Sequence, residues 1–426
     1  MRICQIVNVG FEAGGAERSV RLIAEGLRER GHEVLVIATD HLIGSDKQGA
    51  QQVFADFLVP AIRGNAGRRL AGYFWHHRAY RQVKLAVSGF RPDVVHLHTI
   101  GEFSPSVLAA TEAFRRVLTV HGPEDWTARL LKWNLTSMAG GVGRLSPVDA
   151  ARHAYLMFLQ RPAYRFWLRR LDGVIAPSRF LAEAVGVDVG RVPIRVLPNG
   201  APLPSATPLP GSANVLFVGR LEPVKGVRVL ISAFARIADR HPEAGLTLVG
   251  DGEQRAELER QVAGAGLAGR VRFAGWLDGG QLAAAYAGAD LLAIPSVWPE
   301  NFPTVALEAL GAGRAVVASR VGGIPELVED GHNGMLVTPN DDASLADALD
   351  RLLRDPTRMA EMGAAAAARS GAYGVAIFLD SLEKYYAEVS NRDADSRGRR
   401  VRTGQPWRRR AVERAAPAGG AGIQRG

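Results

Sequence analysis

Twelve short apolar runs rich in β-branched residues, separated by longer stretches of helical periodicity, constrain this chain more than any other feature of its sequence. A run that is apolar on every residue must be buried on both faces. Strands of that kind occur in parallel sheets covered by helices on both sides. In the first half the runs are Ile3–Asn8, Glu33–Ala38, Val94–Leu97, Val117–Val120, Gly173–Ala176 and Ile194–Leu197. In the second half they are Asn214–Val218, Gly245–Val249, Val271–Ala274, Leu291–Ile294, Ala315–Ala318 and Gly334–Val337. A helix from about Glu17 to Arg30 follows the first run and is closed by Gly31 as the residue after its cap.

The chain has 426 residues, too many for one hydrophobic core. Pro198 to Gly211, rich in Pro, Gly and Ser, interrupts the rhythm and reads as a linker. The expected fold class is therefore α/β, with two Rossmann-like, doubly wound domains facing across a cleft. Residues 1–203 form the first domain and 204–372 the second, with a helical segment at 373–390.

One cysteine, Cys4, excludes an internal disulfide and a cysteine-rich metal site; it sits in the first apolar run and reads as a buried thiol. That run reads as a strand and not as a signal peptide, because Asn8, Gly10 and Glu12 interrupt it. No apolar stretch approaches the roughly 20 residues that cross a bilayer, so the expected compartment is the cytosol. The net charge of +9 suggests nucleic acid until it is located. Ten arginines against three carboxylates lie in residues 391–426, and the rest of the chain is close to neutral. That Arg-rich tail reads as disordered, and no nucleic-acid partner is expected of the folded body.

In such sheets ligands bind beyond the carboxyl ends of the strands, and there the informative residues fall. Gly10-Phe11-Glu12-Ala13-Gly14-Gly15-Ala16-Glu17 follows the first strand and enters a helix, a place where backbone amides can approach an anion. Its spacing is not the dinucleotide fingerprint. His121, in Thr119-Val120-His121-Gly122-Pro123, stands in a turn at another strand end. His96 and His98 alternate along one strand and read mainly as sheet-end structure. Val218-Gly219-Arg220-Leu221-Glu222-Pro223-Val224-Lys225-Gly226 places two cations, Arg220 and Lys225, on one glycine-bearing turn, which suits a diphosphate.

The most informative stretch is Pro295-Ser296-Val297-Trp298-Pro299-Glu300-Asn301-Phe302-Pro303-Thr304-Val305-Ala306-Leu307-Glu308. A helix is expected from Pro303 onward, with the amides of Phe302 to Val305 forming an anion site. Glu300 and Glu308 then lie about 12 Å apart at most along the axis. One carboxylate can hold sugar hydroxyls on one side of a diphosphate while the other holds ribose hydroxyls on the far side. They do not form the nucleophile and acid/base pair of a glycosidase.

From Arg2 to about Val389 the chain resembles the retaining glycosyltransferases of family 4, which have the two-domain GT-B fold. The likeness rests on Gly14-Gly15-Ala16-Glu17, Asp93-Val94-Val95-His96-Leu97-His98, His121-Gly122, Pro198-Asn199-Gly200 and Val218-Gly219-Arg220 with Lys225-Gly226. It continues through Gly250-Asp251-Gly252, the Glu300/Glu308 pair, Gly322-Gly323-Ile324-Pro325-Glu326 and Asp330-Gly331-His332-Asn333-Gly334. The resemblance implies that Gly15, Gly219, Arg220, Lys225 and the segment Glu300, Asn301, Phe302, Pro303, Thr304, Val305 with Glu308 bind a nucleotide-sugar donor. Within that set, Glu300 would hold the transferred sugar and Glu308 the ribose. His121, Arg220, Lys225 and Glu300 would carry catalysis, and Gly14, Glu17 and His121 would face the acceptor. It further implies retention of anomeric configuration, no cofactor and no metal, with the two cations taking the metal's place. The helix near Val375–Val389 would cross back to the first domain, although Gly371-Ala372-Tyr373-Gly374 departs from the commoner aromatic-rich approach to it.

Acceptor choice is expected in the first domain. Arg68 to Arg81 and Tyr155 to Arg170 mix aromatic and basic side chains, which suits either packed helices with basic rims or an anionic membrane surface. A sugar or lipid-linked acceptor in exopolysaccharide, lipopolysaccharide or glycolipid assembly is the resulting expectation. Two alternatives remain at this stage: a GT-B sugar-nucleotide epimerase, and a non-catalytic nucleotide-binding protein with an anion-binding tail.

Overall fold

The computed structural model describes residues 1–12, 14–41, 53–122 and 154–391. The Arg-rich stretch from Arg392 onward and Pro123 lie outside the described residues. The first sheet is formed by β1 (Arg2–Val9), β2 (Glu33–Thr39), β3 (Phe57–Val59), β4 (Val94–Leu97), β5 (Arg116–Thr119), β6 (Gly173–Ala176) and β7 (Ile194–Val196). Its strands are ordered β3-β2-β1-β4-β5-β6-β7, and all their pairings are parallel. The second sheet contains β8 (Asn214–Val218), β9 (Gly245–Val249), β10 (Val271–Gly275), β11 (Leu291–Ile294), β12 (Ala315–Ser319) and β13 (Gly334–Val337). Its order is β10-β9-β8-β11-β12-β13, again parallel throughout.

Each sheet reverses its strand order once, between β1 and β4 and between β8 and β11. Connections leave those neighbouring strands toward opposite faces, so a crevice opens beyond their carboxyl ends. Burial explains why the apolar runs were so legible: β4, β5, β6, β11 and β12 are buried at every residue. Among the described residues, the one strand absent from the apolar pattern is β3, an edge strand of three residues with Leu58 exposed.

The helix after β1 spans Gly15–Glu29, two residues ahead of the expected start, and Gly31 takes the left-handed conformation (φ +84°) that ends it. The Pro198–Gly211 connection is firmly held. The guanidinium of the buried Arg314 donates to the carbonyls of Thr207 and Pro208 and to the Thr207 hydroxyl. The final helix, Val375–Asn391, returns to the first sheet. Phe378, Leu379, Leu382, Tyr385, Tyr386 and Val389 share a core with Ile3, Val7, Ile23, Leu27, Val94 and Ile175. Fit there is close, since a Cβ on Gly26 would lie 2.4 Å from Leu379 Cδ1. Arg30 pairs with Asp380 and Glu383 on the rim of that contact.

Candidate functional site

The two strand reversals carry the residues singled out above. In the second sheet, β8 leads through Gly219 and Arg220 into a short 3-10 turn, Pro223–Lys225, and then the helix Val227–Ile237. Gly226 joins them at φ +68°, and a Cβ there would sit 1.9 Å from the Pro295 carbonyl oxygen. No other residue fits this junction, which presses the turn onto the loop leaving β11. The Val297 amide donates to the Val224 carbonyl at 3.0 Å across the same junction.

That approach brings Lys225 Nζ to 2.7 Å from Glu300 Oε1, where the Ser296 hydroxyl also donates at 2.6 Å. The Glu300 carbonyl is held in turn by the Gly323 amide at 2.6 Å. Arg220 is more open, paired to Glu222 at 2.7 Å. Beyond Glu300 the chain enters the helix Thr304–Gly311 with Pro303 at its N-cap and no side chain capping it. Thr304, and not Pro303, is thus the first helical residue. Its first amides have no partner within the helix, and the positive end of the helix dipole begins a few residues after Glu300, the partner of Lys225.

Glu308 lies one turn before the end of that helix and is nearly fully buried. The Tyr286 hydroxyl donates to Oε2 at 2.9 Å and Arg18 Nη1 to Oε1 at 3.2 Å. Burial raises its carboxyl above the ordinary value, against the pull of Tyr286 and Arg18. The expectation that Glu308 is no ordinary solvated helix residue holds for this reason.

Across the cleft the first sheet contributes imidazoles. His98 Nδ1 and His121 Nε2 lie 3.1 Å apart, with ring centroids separated by 5.4 Å. His96 is tied to Tyr386 Oη at 2.6 Å and to Thr119 Oγ1 at 2.7 Å. Burial lowers His121 to about 4 and His96 to about 3, and it holds His98 well below the ordinary imidazole value. All three are neutral at physiological pH. His96 therefore fills the structural role read from its position, whereas His98 belongs to the His121 site. Gly14 and Gly15 open the first helix; among the described residues a Cβ on Gly15 would meet nothing within 4 Å. Glu17 turns inward beside them, and burial raises its carboxyl.

Several polar contacts join these halves directly. Asn301 Nδ2 donates to the His121 carbonyl at 2.6 Å, Arg18 reaches Glu308, and the Arg179 and Phe180 amides donate to the Glu326 carboxylate at 2.9 and 3.0 Å. The arrangement places cations and an uncapped helix end on one wall and neutral imidazoles on the other. It suits an anionic leaving group on the second sheet's side. Arg18, Tyr286, Ser296 and the contact made by His98 were not legible in advance. Nothing sets Arg18 apart from Arg21 in sequence, and Tyr286 reads as core. Among the described residues no cluster of three or more His, Cys, Asp or Glu is placed to hold a metal ion.

Residues 13–203 match the family described as Glycosyltransferase Family 4, and residues 206–369 that described as Glycosyl transferases group 1. The phosphatidyl-myo-inositol mannosyltransferase of Mycolicibacterium smegmatis is 30% identical over 410 residues, covering 92% of this chain and 94% of that protein. A glycogen synthase of Mycobacterium tuberculosis is 31% identical over 366 residues, covering 80% and 83%. In fold, the chain is similar to a sucrose-phosphate synthase from Thermosynechococcus elongatus, with a TM-score of 0.70, 23% identity and coverage of 91% of this chain and 98% of that one.

Proposed function

The chain belongs to glycosyltransferase family 4 and has its GT-B fold of two Rossmann-like domains, and from that membership we propose that it moves a sugar from a nucleoside diphosphate to an acceptor hydroxyl with retention of configuration. The observation that carries this reading is the Lys225–Glu300 pair at 2.7 Å, at the mouth of an uncapped helix. Lys225 and Arg220 neutralise the diphosphate as its bond to the sugar breaks, and the amides at the start of Thr304–Gly311 bind its oxygens. Glu300 accepts hydrogen bonds from the transferred sugar, and Glu308 from the ribose. His121, neutral and with its carbonyl bonded to Asn301 of the second domain, borders the sugar and the acceptor. The acceptor attacks from the face the diphosphate leaves, so positioning and charge stabilisation supply the rate, and no protein-linked sugar forms. The two cations do the work a metal ion does in other transferases.

A lipid-linked acceptor is favoured by one surface. Residues 57–92 contain no Asp or Glu but seven Lys or Arg, and residues 154–171 contain no acid and four arginines. Tyr155 Oη donates to the Leu70 carbonyl at 3.1 Å and Gln160 Nε2 to that of Tyr73 at 3.4 Å, which joins the two segments. Leu70, Phe74, Phe158, Leu159 and Phe166 are exposed on them. Exposed apolar side chains among arginines, of which Arg161 and Arg165 are paired with Asp188, suit the interface of an anionic membrane. No helix among the described residues is long and apolar enough to cross it.

Incubating the protein with sugar-labelled UDP, GDP and ADP sugars and lipid extracts tests the reading. Label should move to the acceptor with the donor's anomeric configuration. Label that stays on the nucleotide as an epimer contradicts transfer, and donor that neither binds nor reacts contradicts the donor site.

A further inference from the structure

Arg18 belongs to the first sheet's helix, yet it spends its charge on a carboxylate of the second sheet 290 residues away. The exposures of the two partners differ sharply: the Arg18 side chain is 44% exposed and that of Glu308 is 6%. Glu308 is walled in by its own helix, where Ala306 to Gly311 are all buried. Each of its oxygens already has one donor, Tyr286 on Oε2 and Arg18 on Oε1. Tyr286 is fixed, being buried in the same core as Ala306 and Leu310. Arg18 is not, because it reaches in from the opposite side of the cleft.

A ribose cis-diol binds a carboxylate by donating one hydrogen bond to each oxygen. Each oxygen has a second lone pair, so what sets the two ligands in competition is space: Glu308 is almost wholly buried, Arg18 enters from the cleft side that the diol must use, and of the two donors only Arg18 can withdraw without rebuilding the core. We propose that Arg18 is a specificity-determining residue of the donor site: its guanidinium competes with the ribose diol for Glu308 Oε1, so that nucleotide binding and the Arg18–Glu308 bridge between the two sheets exclude one another. This rests on the ribose role of Glu308 proposed above. By linkage, a nucleotide that displaces Arg18 also releases one of the polar contacts between the two halves, while Asn301 on the His121 carbonyl and Glu326 on the Arg179 and Phe180 amides remain.

The full-length protein and its Arg18→Met variant would be titrated calorimetrically with UDP, GDP and ADP and with their 2′,3′-dideoxy counterparts. Methionine keeps the length of the side chain and removes its charge. Only the Arg18 end of this ion pair is open to solvent, which screens it, so the variant should bind the best ribonucleotide about two- to fivefold more tightly. Its affinity for the dideoxy form should be unchanged. Weaker ribonucleotide binding in Arg18→Met would overturn the proposal, because Arg18 would then be a ligand of the nucleotide. Equal tightening of both forms would also overturn it. Glu308→Gln separates the two levels of the argument. If this variant still prefers the ribonucleotide as strongly as the parent protein, the ribose role of Glu308 fails. If the preference is lost while Arg18→Met changes nothing, the ribose role stands and the competition does not.

Discussion

The two walls of the cleft follow the same wiring rule but are furnished differently. On the second sheet the strand reversal is crowded: Gly226 touches Pro295, Gly322 would place a Cβ 2.1 Å from the Glu300 carbonyl oxygen, and Lys225 is locked to Glu300. On the first sheet the corresponding loop is open around Gly15, and the polar groups behind it are neutral, buried imidazoles. A ligand that is constant in charge and shape needs a fixed, charged cradle. A wall that meets varied acceptors needs fewer commitments. That contrast supports the proposal that the second sheet takes the donor and the first the acceptor.

The strongest way to break that comparison is chemical. Glu300→Ala should lower the transfer rate by about 10² to 10³, the usual loss when one preorganised partner of the reacting group is removed. A change of less than a few-fold, measured as kcat/KM, would move the sugar site elsewhere. Packing gives the next effect. Gly226→Ala must fill space held by the Pro295 carbonyl and adopt a left-handed backbone, and should cost about 3 kcal/mol. Gly15→Ala has room and a permitted backbone, and should change stability by less than about 0.5 kcal/mol. Denaturant unfolding of both variants would show whether the asymmetry in crowding is energetic as well as geometric.

Acid distinguishes the two domains by its window, with the same sign in both. Burial lowers His121 to about 4 and His96 to about 3, against 6.5 for an ordinary imidazole. Below pH 6.5 the unfolded chain binds protons that the folded first domain refuses, so stability falls as the pH drops from 6.5 toward 4. In the second domain, burial lifts Asp350, but His241 and Arg240 bring its carboxyl below 3.8 overall. Its contribution is complete above pH 3.8 and goes only below it. Unfolding followed between pH 7.5 and 5 should therefore lose stability, and His98→Asn should flatten that slope. A flat profile in the parent protein would contradict the neutral imidazole cluster. The smallest effect is expected at the surface, where Phe158→Asp should reduce flotation with anionic vesicles by a few-fold without altering the unfolding midpoint. Unchanged flotation would remove the membrane contact.

The difference between the walls also explains what could be read in advance. Buried parallel strands are continuous apolar runs, so twelve of the strands were visible from composition alone, and β3 escaped because three edge residues carry no period. Lys225, Glu300 and Glu308 were visible because glycine and proline bracket them at strand ends. Arg18 was not, since its partner is distant in sequence and meets it only once both domains are assembled. Tyr286 was hidden for the opposite reason: an aromatic residue in an alanine-rich helix looks like core, and it is core at every atom but its hydroxyl. His98 was read as sheet-end structure because alternation along β4 fixes its side of the sheet but not its neighbour on the loop after β5.

The most direct test of the donor assignment is a calorimetric titration of the parent protein, Lys225→Ala and Glu308→Ala with the nucleotide sugar that the parent binds best. The second-sheet site predicts that each substitution weakens binding by about tenfold or more, as expected when a charge-assisted contact to the ligand is lost. Unchanged affinity in both variants would contradict it.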